Sequence, residues 1–296
     1  MTDQNIFIRE AGRLGIRIPR SAWKAAGHGV SAAMQQKGTL ISHGQFSDWL
    51  ADDLRQVDDE VVCFGPGFAG LSLEELLQSS LDETTMIQHL ASVARALSRL
   101  DQEGGLPAGI QSAGVLVTAD GDVLILPTSL VSRAAARTRR GEGPAPEGNL
   151  AIAASMMLAE NLRRIFLHRF VTTPATPTND NLPPRRESDP FVPLGLIAPH
   201  LDPGLAILAD RCMNQTTVSP SLDDWANAFN PVGRKKYFRD LTADDLASLE
   251  SQRKASETRV ARRLAFKRFM TKRGGLLSGL AIALVIIAGI AIFDRP

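Results

Sequence analysis

Residues 108–129, AGIQSAGVLVTADGDVLILPTS, hold the signal that most restricts how this chain can fold. Two short apolar runs, Val115-Leu116-Val117 and Val123-Leu124-Ile125-Leu126, flank Thr118-Ala119-Asp120-Gly121-Asp122. Asp-Gly between such runs predicts a tight β-hairpin, because glycine takes positive φ without steric cost. Upstream, residues 84–102 place Ile87, Leu90, Ala91, Ala94, Leu97 and Leu100 on one face, which predicts an amphipathic helix.

Residues 1–59 carry weaker patterns. Residues 5–14 fit a short helix, and Phe46, Leu50 and Leu54, with Trp49 beside them, have helical spacing. Glu60–Phe64 reads as a strand, followed by Gly65-Pro66-Gly67-Phe68-Ala69-Gly70, a literal G-x-G-x-x-G. A dinucleotide site needs the third glycine inside the next helix. Here Ser72-Leu73-Glu74-Glu75 is a capping box that starts the helix after Gly70. Residues 84–102 also read as helix where a second parallel strand is required, so the Rossmann reading fails.

Beyond the hairpin, residues 133–148 read as an exposed loop ending in Ala145-Pro146-Glu147, and Leu150–Phe170 as an apolar helix with Ile152, Met156, Met157, Leu162, Ile165 and Phe166. Residues 171–190, with five prolines among Thr, Asn and Arg, read as a flexible insert. Asp202-Pro203 and Pro220-Ser221-Leu222-Asp223-Asp224-Trp225 each open a further helix. In order and spacing, residues 60–230 resemble the large lobe of a protein kinase, with Ser72–Leu77 similar to the helix after the hinge strand.

That resemblance implies an α+β fold: a mainly helical kinase-like large lobe with a small β-hairpin and a reduced N-terminal lobe, to which the uncharged C-terminal stretch adds one transmembrane helix. It also implies degenerate chemistry. The family's His-Arg-Asp falls on Pro107, Ala108 and Gly109, its metal-binding Asn on Gly114, and the Asp of Asp-Phe-Gly on Pro127. No base for a substrate hydroxyl and no oxygen ligand for magnesium stand at those positions. The Arg that pairs with the Glu of Ala-Pro-Glu is replaced by Ser219, and Lys24 and Lys37 lack a Val-Ala-Ile-Lys-like strand. No catalytic residue and no cofactor are expected.

Charge divides the chain. Residues 253–273 carry nine basic residues against Glu257 alone, a net of +8; with the whole chain at +1 and Asp294 and Arg295 cancelling, residues 1–252 carry −7. Thr242 and Asp245 form a second capping box, opening a charged helix toward residue 271. Arg259, Arg262, Arg263, Lys267, Arg268, Lys272 and Arg273 suit anionic lipid headgroups. Gly274 to Phe293 is twenty residues without a charge, enough to cross the hydrocarbon core as a helix. The basic excess before it places the N-terminal domain in the cytoplasm, a bacterial inner membrane suiting best. The N-terminal MTDQNIFIRE lacks the apolar core of a secretory signal.

Four regions follow: a reduced lobe at 1–59, a pseudokinase-like domain at 60–230, a basic juxtamembrane helix at 231–273, and a single-pass anchor at 274–293. Cys63 and Cys212 read as free buried thiols. The five histidines have no partners at metal-ligand spacing, and H-E-x-x-H, G-x-S-x-G and P-loop motifs are missing. Few aromatics accompany the basic residues, so nucleic acid is not an expected partner. The function that follows is a membrane-tethered inactive scaffold or adaptor binding protein partners. The alternatives are a divergent nucleotide-binding or phosphotransfer enzyme, or a structural anchor subunit of a membrane complex. Gly275, Gly279 and Ala283 form a small-residue stripe on which two anchors can approach as a homodimer.

A reporter fused after Pro296 should surface outside the cytoplasm, and full-length protein recovered without detergent in the soluble fraction would contradict the anchor. Gly279→Leu should weaken self-association in a membrane two-hybrid assay; an unchanged signal would remove the stripe from the interface.

Overall fold

The computed structural model describes residues 6–25, 35–135, 149–172, 193–214, 219–229, 237–244, 246–248, 250–251, 254–255, 258 and 262. The chain divides into two compact units, residues 1–183 with 193–239, and residues 184–192 with 240–296.

In the first unit the strands are β1 (Phe7–Glu10), β2 (Arg13–Pro19), β3 (Lys37–Ser42), β4 (Gln45–Leu50), β5 (Asp53–Val57), β6 (Glu60–Pro66), β7 (Leu71–Ser72), β8 (Val115–Val117) and β9 (Val123–Ile125). Its helices are α1 (Arg20–Ala25), α2 (Leu73–Gln78), α3 (Glu83–Gln102), α4 (Thr128–Ala135), α5 (Leu150–Thr172), α6 (Leu194–Ile197), α7 (Pro203–Asn214) and α8 (Leu222–Phe229). One sheet has the order β1-β2-β6-β5 and the other β4-β3-β9-β8-β7, with every pairing antiparallel.

Local chemistry sets the ends of these elements. The β8–β9 turn closes as the sequence predicts: Gly121 lies at φ 89°, and its N–H donates to Thr118 O at 3.1 Å. Helix α2 starts at the expected capping box, with Glu75 N donating to Ser72 Oγ and Ser72 N donating to Glu75 Oε2. Asp82 caps α3 by accepting from Thr85 N and Thr85 Oγ1, bonds that hold its carboxyl below the usual range. A reciprocal Ser221–Asp224 pair caps α8.

Within the second sheet the β8–β9 hairpin is buried on both faces. Successive side chains on a strand point to opposite sides, and the burial follows that alternation. Val115, Val117, Val123, Ile125 and Ile41 join the core built by α3, α5, α7 and α8. Leu116, Leu124 and Leu126 join Leu14, Ile16, Ile18, Trp49 and Cys63 beneath the first sheet, with Leu130 and Val131 of α4. The order is therefore a helical layer, a five-stranded sheet, then a four-stranded sheet with α4.

This architecture corrects the expected fold class. Nine strands in two antiparallel sheets replace a mainly helical lobe with a small hairpin and a reduced N-terminal lobe. Five of those strands, β1 to β5, come from residues 7–57, where two short helices were expected. Two-residue turns decide the matter. Ala11 and Gly12 have φ 48° and 73°, and His43 and Gly44 have φ 47° and 77°, the both-positive geometry of a type I′ hairpin. Such turns send the chain straight back, so residues 45–50 pair with β3 whatever helical spacing their side chains show. Trp49 is the buried member of that strand and donates Nε1–H to Pro66 O at 2.9 Å, while Leu50 is exposed.

The glycines of residues 65–70 are explained by close packing. A Cβ on Gly67 would collide with Gly12 O, one on Gly65 with the Trp49 ring, and one on Gly70 with the Val117 backbone. No described helix is long and apolar enough to cross a membrane; the expected span at 274–293, with Gly275, Gly279 and Ala283, lies outside the described residues.

In the second unit every described position from Ala243 to Arg262 is helical. Leu246 N donates to Thr242 O at 3.1 Å, and Lys254 pairs with Glu250 one turn back at 3.2 Å. Of the seven expected membrane-proximal basic residues only Arg262 is described, and it is exposed. Arg259, Arg263, Lys267, Arg268, Lys272 and Arg273 lie outside the described residues, as does Asp245 of the expected cap.

Leu124 is fully buried between the two layers. Leu124→Ala should lower unfolding free energy by about 2–5 kcal/mol in urea titrations. Val57→Thr, on the exposed edge strand β5, should stay within about 0.5 kcal/mol. Equal small losses at both positions would contradict burial on two faces.

Candidate functional site

The structure brings together most of the positions where the resemblance places kinase chemistry. The loop after α3 runs through Pro107, Ala108 and Gly109 to a 3-10 turn at Ser112–Gly114, while β9 leads through Leu126 and Pro127 into α4. Leu126 N donates to Gly114 O at 2.8 Å, and Thr128 Oγ1 donates to Ala108 O at 2.6 Å. Pro127 O accepts from Leu130 N and Val131 N, starting α4. Gly114 has no room for a side chain, since a Cβ would come within 2.8 Å of Val131 Cγ2.

The side chains at this junction are amides and hydroxyls. Gln111 Nε2 donates to Ser132 Oγ at 2.8 Å, and Asn161 Nδ2 of α5 donates to Ser112 Oγ at 2.8 Å. Between residues 107 and 132 the only carboxylates are Asp120 and Asp122, in the hairpin turn. His89 of α3 is hydrogen-bonded to the Thr118 backbone; burial pushes its pKa down, which favours neutral imidazole. Lys37 pairs with Asp48 across β3 and β4 at 2.5 Å on an exposed surface. Lys24 ends α1. Ala145-Pro146-Glu147 lies outside the described residues.

Two polar clusters deeper in the helical layer escaped the sequence reading. Ser155 Oγ donates to Pro220 O at 3.0 Å, accepts from Trp225 Nε1 at 2.7 Å and lies 3.1 Å from Cys212 Sγ. Arg163 of α5 meets Asp210 of α7 at 3.3 Å, and Asp210 also accepts from Leu194 N at the start of α6. Burial raises the Asp210 pKa, opposed by the Leu194 bond and by Arg163. The available signal was Ser155, Asn161 and Arg163 interrupting an otherwise apolar helix pattern.

Alongside, α2 and α5 border an open cleft of about 440 Å³ lined by Glu74, Leu77, Gln78, Arg164 and Leu167. Leu77 also lines a second, small pocket of about 10 Å³ together with Leu73, Leu76, Met86, Leu90, Asn161 and Ile165. Among the described residues, no cluster of His, Cys, Asp or Glu has the arrangement of a metal site. No protein-family model matches this chain, and no curated protein matches its sequence.

Both cysteines are free and buried, as expected from their separation. Burial pushes the Cys63 thiol up to about 11, against a small opposing effect of Arg133, and raises Cys212 as well. At pH 8 the thiolate fraction of Cys63 is then on the order of one in a thousand. Neither thiol should react with a chromogenic disulfide reagent in the native chain, and both should react once urea unfolds it. Rapid native labelling at either cysteine would contradict this burial.

Proposed function

We propose that this chain is a non-catalytic scaffold or adaptor that binds protein partners at the cytoplasmic face of a membrane. The carrying observation is the junction of residues 107–114 with 127–132. Its described polar side-chain bonds run to backbone carbonyls, hydroxyls or amides, and its sequence places no acid or lysine there. Phosphoryl transfer depends on positioned charge: a lysine on the phosphates, acid and amide oxygens on magnesium, and an acid for the hydroxyl. A triphosphate entering here would lose hydration with nothing to offset its charge.

Tethering is supported by the sequence. The +8 stretch at 253–273 abuts the uncharged residues 274–293, and the helical positions through Arg262 lead toward it. Anionic headgroups are the lipid partner, and no cofactor is required for binding.

Millimolar Mg-ATP should leave the melting midpoint of the full chain unchanged, with no label transferred from radioactive ATP. A nucleotide at a hundred times its dissociation constant stabilises by about 2.7 kcal/mol, a rise of roughly 5–10 °C for a domain of this size. Such a rise, lost on mutating Lys24 or Lys37, would move the chain to a nucleotide-dependent switch. Cross-linking the full chain in its own membrane should yield a discrete heteromeric adduct, and its absence would contradict the scaffold reading.

A further inference from the structure

Helix α2 carries Glu74, Leu77 and Gln78 at the three- and four-residue spacing that puts side chains on one side, and α5 carries Arg164 and Leu167 three apart. These five residues line the open cleft of about 440 Å³. Each wall therefore holds one leucine and one charge, acidic on α2 and basic on α5. Leu167 is 42% exposed, although it belongs to a helix whose other large apolar side chains at 162, 165 and 166 are buried. The volume falls within the range of about 300–1,000 Å³ usual for sites that take a defined ligand.

The two charges share one cleft and do not meet. Neither Glu74 nor Arg164 forms an ion pair with a described residue, and Glu160, one turn back on α5, does not pair with Arg164. By contrast, Arg9, Arg17, Arg55 and Arg163 are each paired with an acid. Both walls are fixed from behind. Arg9 of β1 holds the start of α2, pairing with Glu75 at 3.0 Å and donating to Gly70 O at 2.7 Å. Leu162, Ile165 and Phe166 pin α5 into the helical layer. Water serves such charges while the cleft is open. A segment that fills it removes that water and has to supply partners of the opposite sign.

We propose that the α2–α5 cleft is a docking groove for a partner protein segment in which an aliphatic residue stands between an acidic and a basic one. The aliphatic side chain packs on Leu77 and Leu167, the partner's acid pairs with Arg164, and its base pairs with Glu74. Complementary charges of this kind fix register and reject segments of the wrong sign. A segment of uniform charge would meet a like charge on one wall. The Gln78 amide offers both a donor and an acceptor to the segment's backbone. This inference rests on the scaffold reading and names the surface it uses.

The test probes an array of capped peptides with the full-length chain in mild detergent. Each peptide has a central leucine flanked by Lys, Glu or Ala in every combination. Binding should favour peptides with one Glu and one Lys roughly fivefold over those with Ala flanks, the size that two exposed ion pairs contribute. Replacing the central leucine by serine should abolish it. Arg164→Glu, which leaves both walls acidic, should move the preference to peptides with Lys on both sides, and Leu167→Asp should abolish binding. Both positions are exposed, so an unchanged melting midpoint separates lost binding from lost fold. Should Leu167→Asp fail to fold, the switch at Arg164 still decides. No binding, or a preference that Arg164→Glu leaves in place, overturns the proposal. Equal binding whatever the flanking charges overturns it in favour of a purely apolar ligand. Binding that appears only when residues 173–183 are deleted overturns it in favour of that segment as the occupant. Membrane cross-linking reports on the scaffold reading alone, so either idea can fail without the other.

Discussion

Three rungs of backbone pairing, Thr39 with Ile125, Leu40 with Leu124 and Ile41 with Val123, join β3 to the central hairpin. Much else depends on them. They make the hairpin an interior part of a five-stranded sheet instead of an edge, so its N–H and C=O groups are satisfied on both sides. A hairpin with neighbours on both sides can then be apolar on both faces, and Val115–Val117 and Val123–Ile125 are buried without exception. That double burial is what lets one sheet hold a helical layer on one side and a second sheet on the other. Buried unpaired backbone would cost more than the side chains return.

Elements whose information is local were legible in the sequence. The helix at α3 shows its period over twenty residues, and Ile87, Leu90, Ala91, Ala94, Leu97 and Leu100 are all buried. Asp120-Gly121 marked its turn, and Ser72 and Glu75 marked a helix start. The first 59 residues were misread because their decisive information is not local. Ala11-Gly12 and His43-Gly44 make type I′ turns with a non-glycine residue at positive φ, so the common Asn-Gly or Asp-Gly signature is missing. Phe46, Leu50 and Leu54 mimic a helical stripe, yet they divide between β4 and β5 and only partly face a core. Strand pairing chose the structure there, overriding spacing.

The same distinction limits what motif order can say. Helix, loop, hairpin, long helix and two capped helices follow along the chain as the sequence suggested, with α4 and α6 between them where no helix was expected. Order along a chain does not specify which strands pair, and the β3–β9 and β2–β6 pairings produce two sheets that the order did not imply. The glycine-rich run makes the point at smaller scale. Gly65, Gly67 and Gly70 match a phosphate-binding pattern in letters, but each is glycine because another part of the chain passes too close for a Cβ. Trp49, Gly12 and Val117 are those parts, and all three are distant in sequence from at least one of the glycines they constrain.

Polar residues inside the helical layer were also illegible in detail, and they separate into two kinds. Ser155 donates to Pro220 O and accepts from Trp225 Nε1, tying α5 to α8. Arg163 is paired with Asp210, tying α5 to α7. Both serve the packing of helices, and removing one partner strands the other in a low-dielectric interior. Asn161 differs from them on the same helix. Its nitrogen serves the packing by holding Ser112 and Met157, whereas its oxygen serves nothing within the described structure. An apolar residue there would give up two hydrogen bonds, so packing accounts for an amide's nitrogen. Of the polar groups that α5 carries into the core, this oxygen is the one without a hydrogen-bond partner among the described residues.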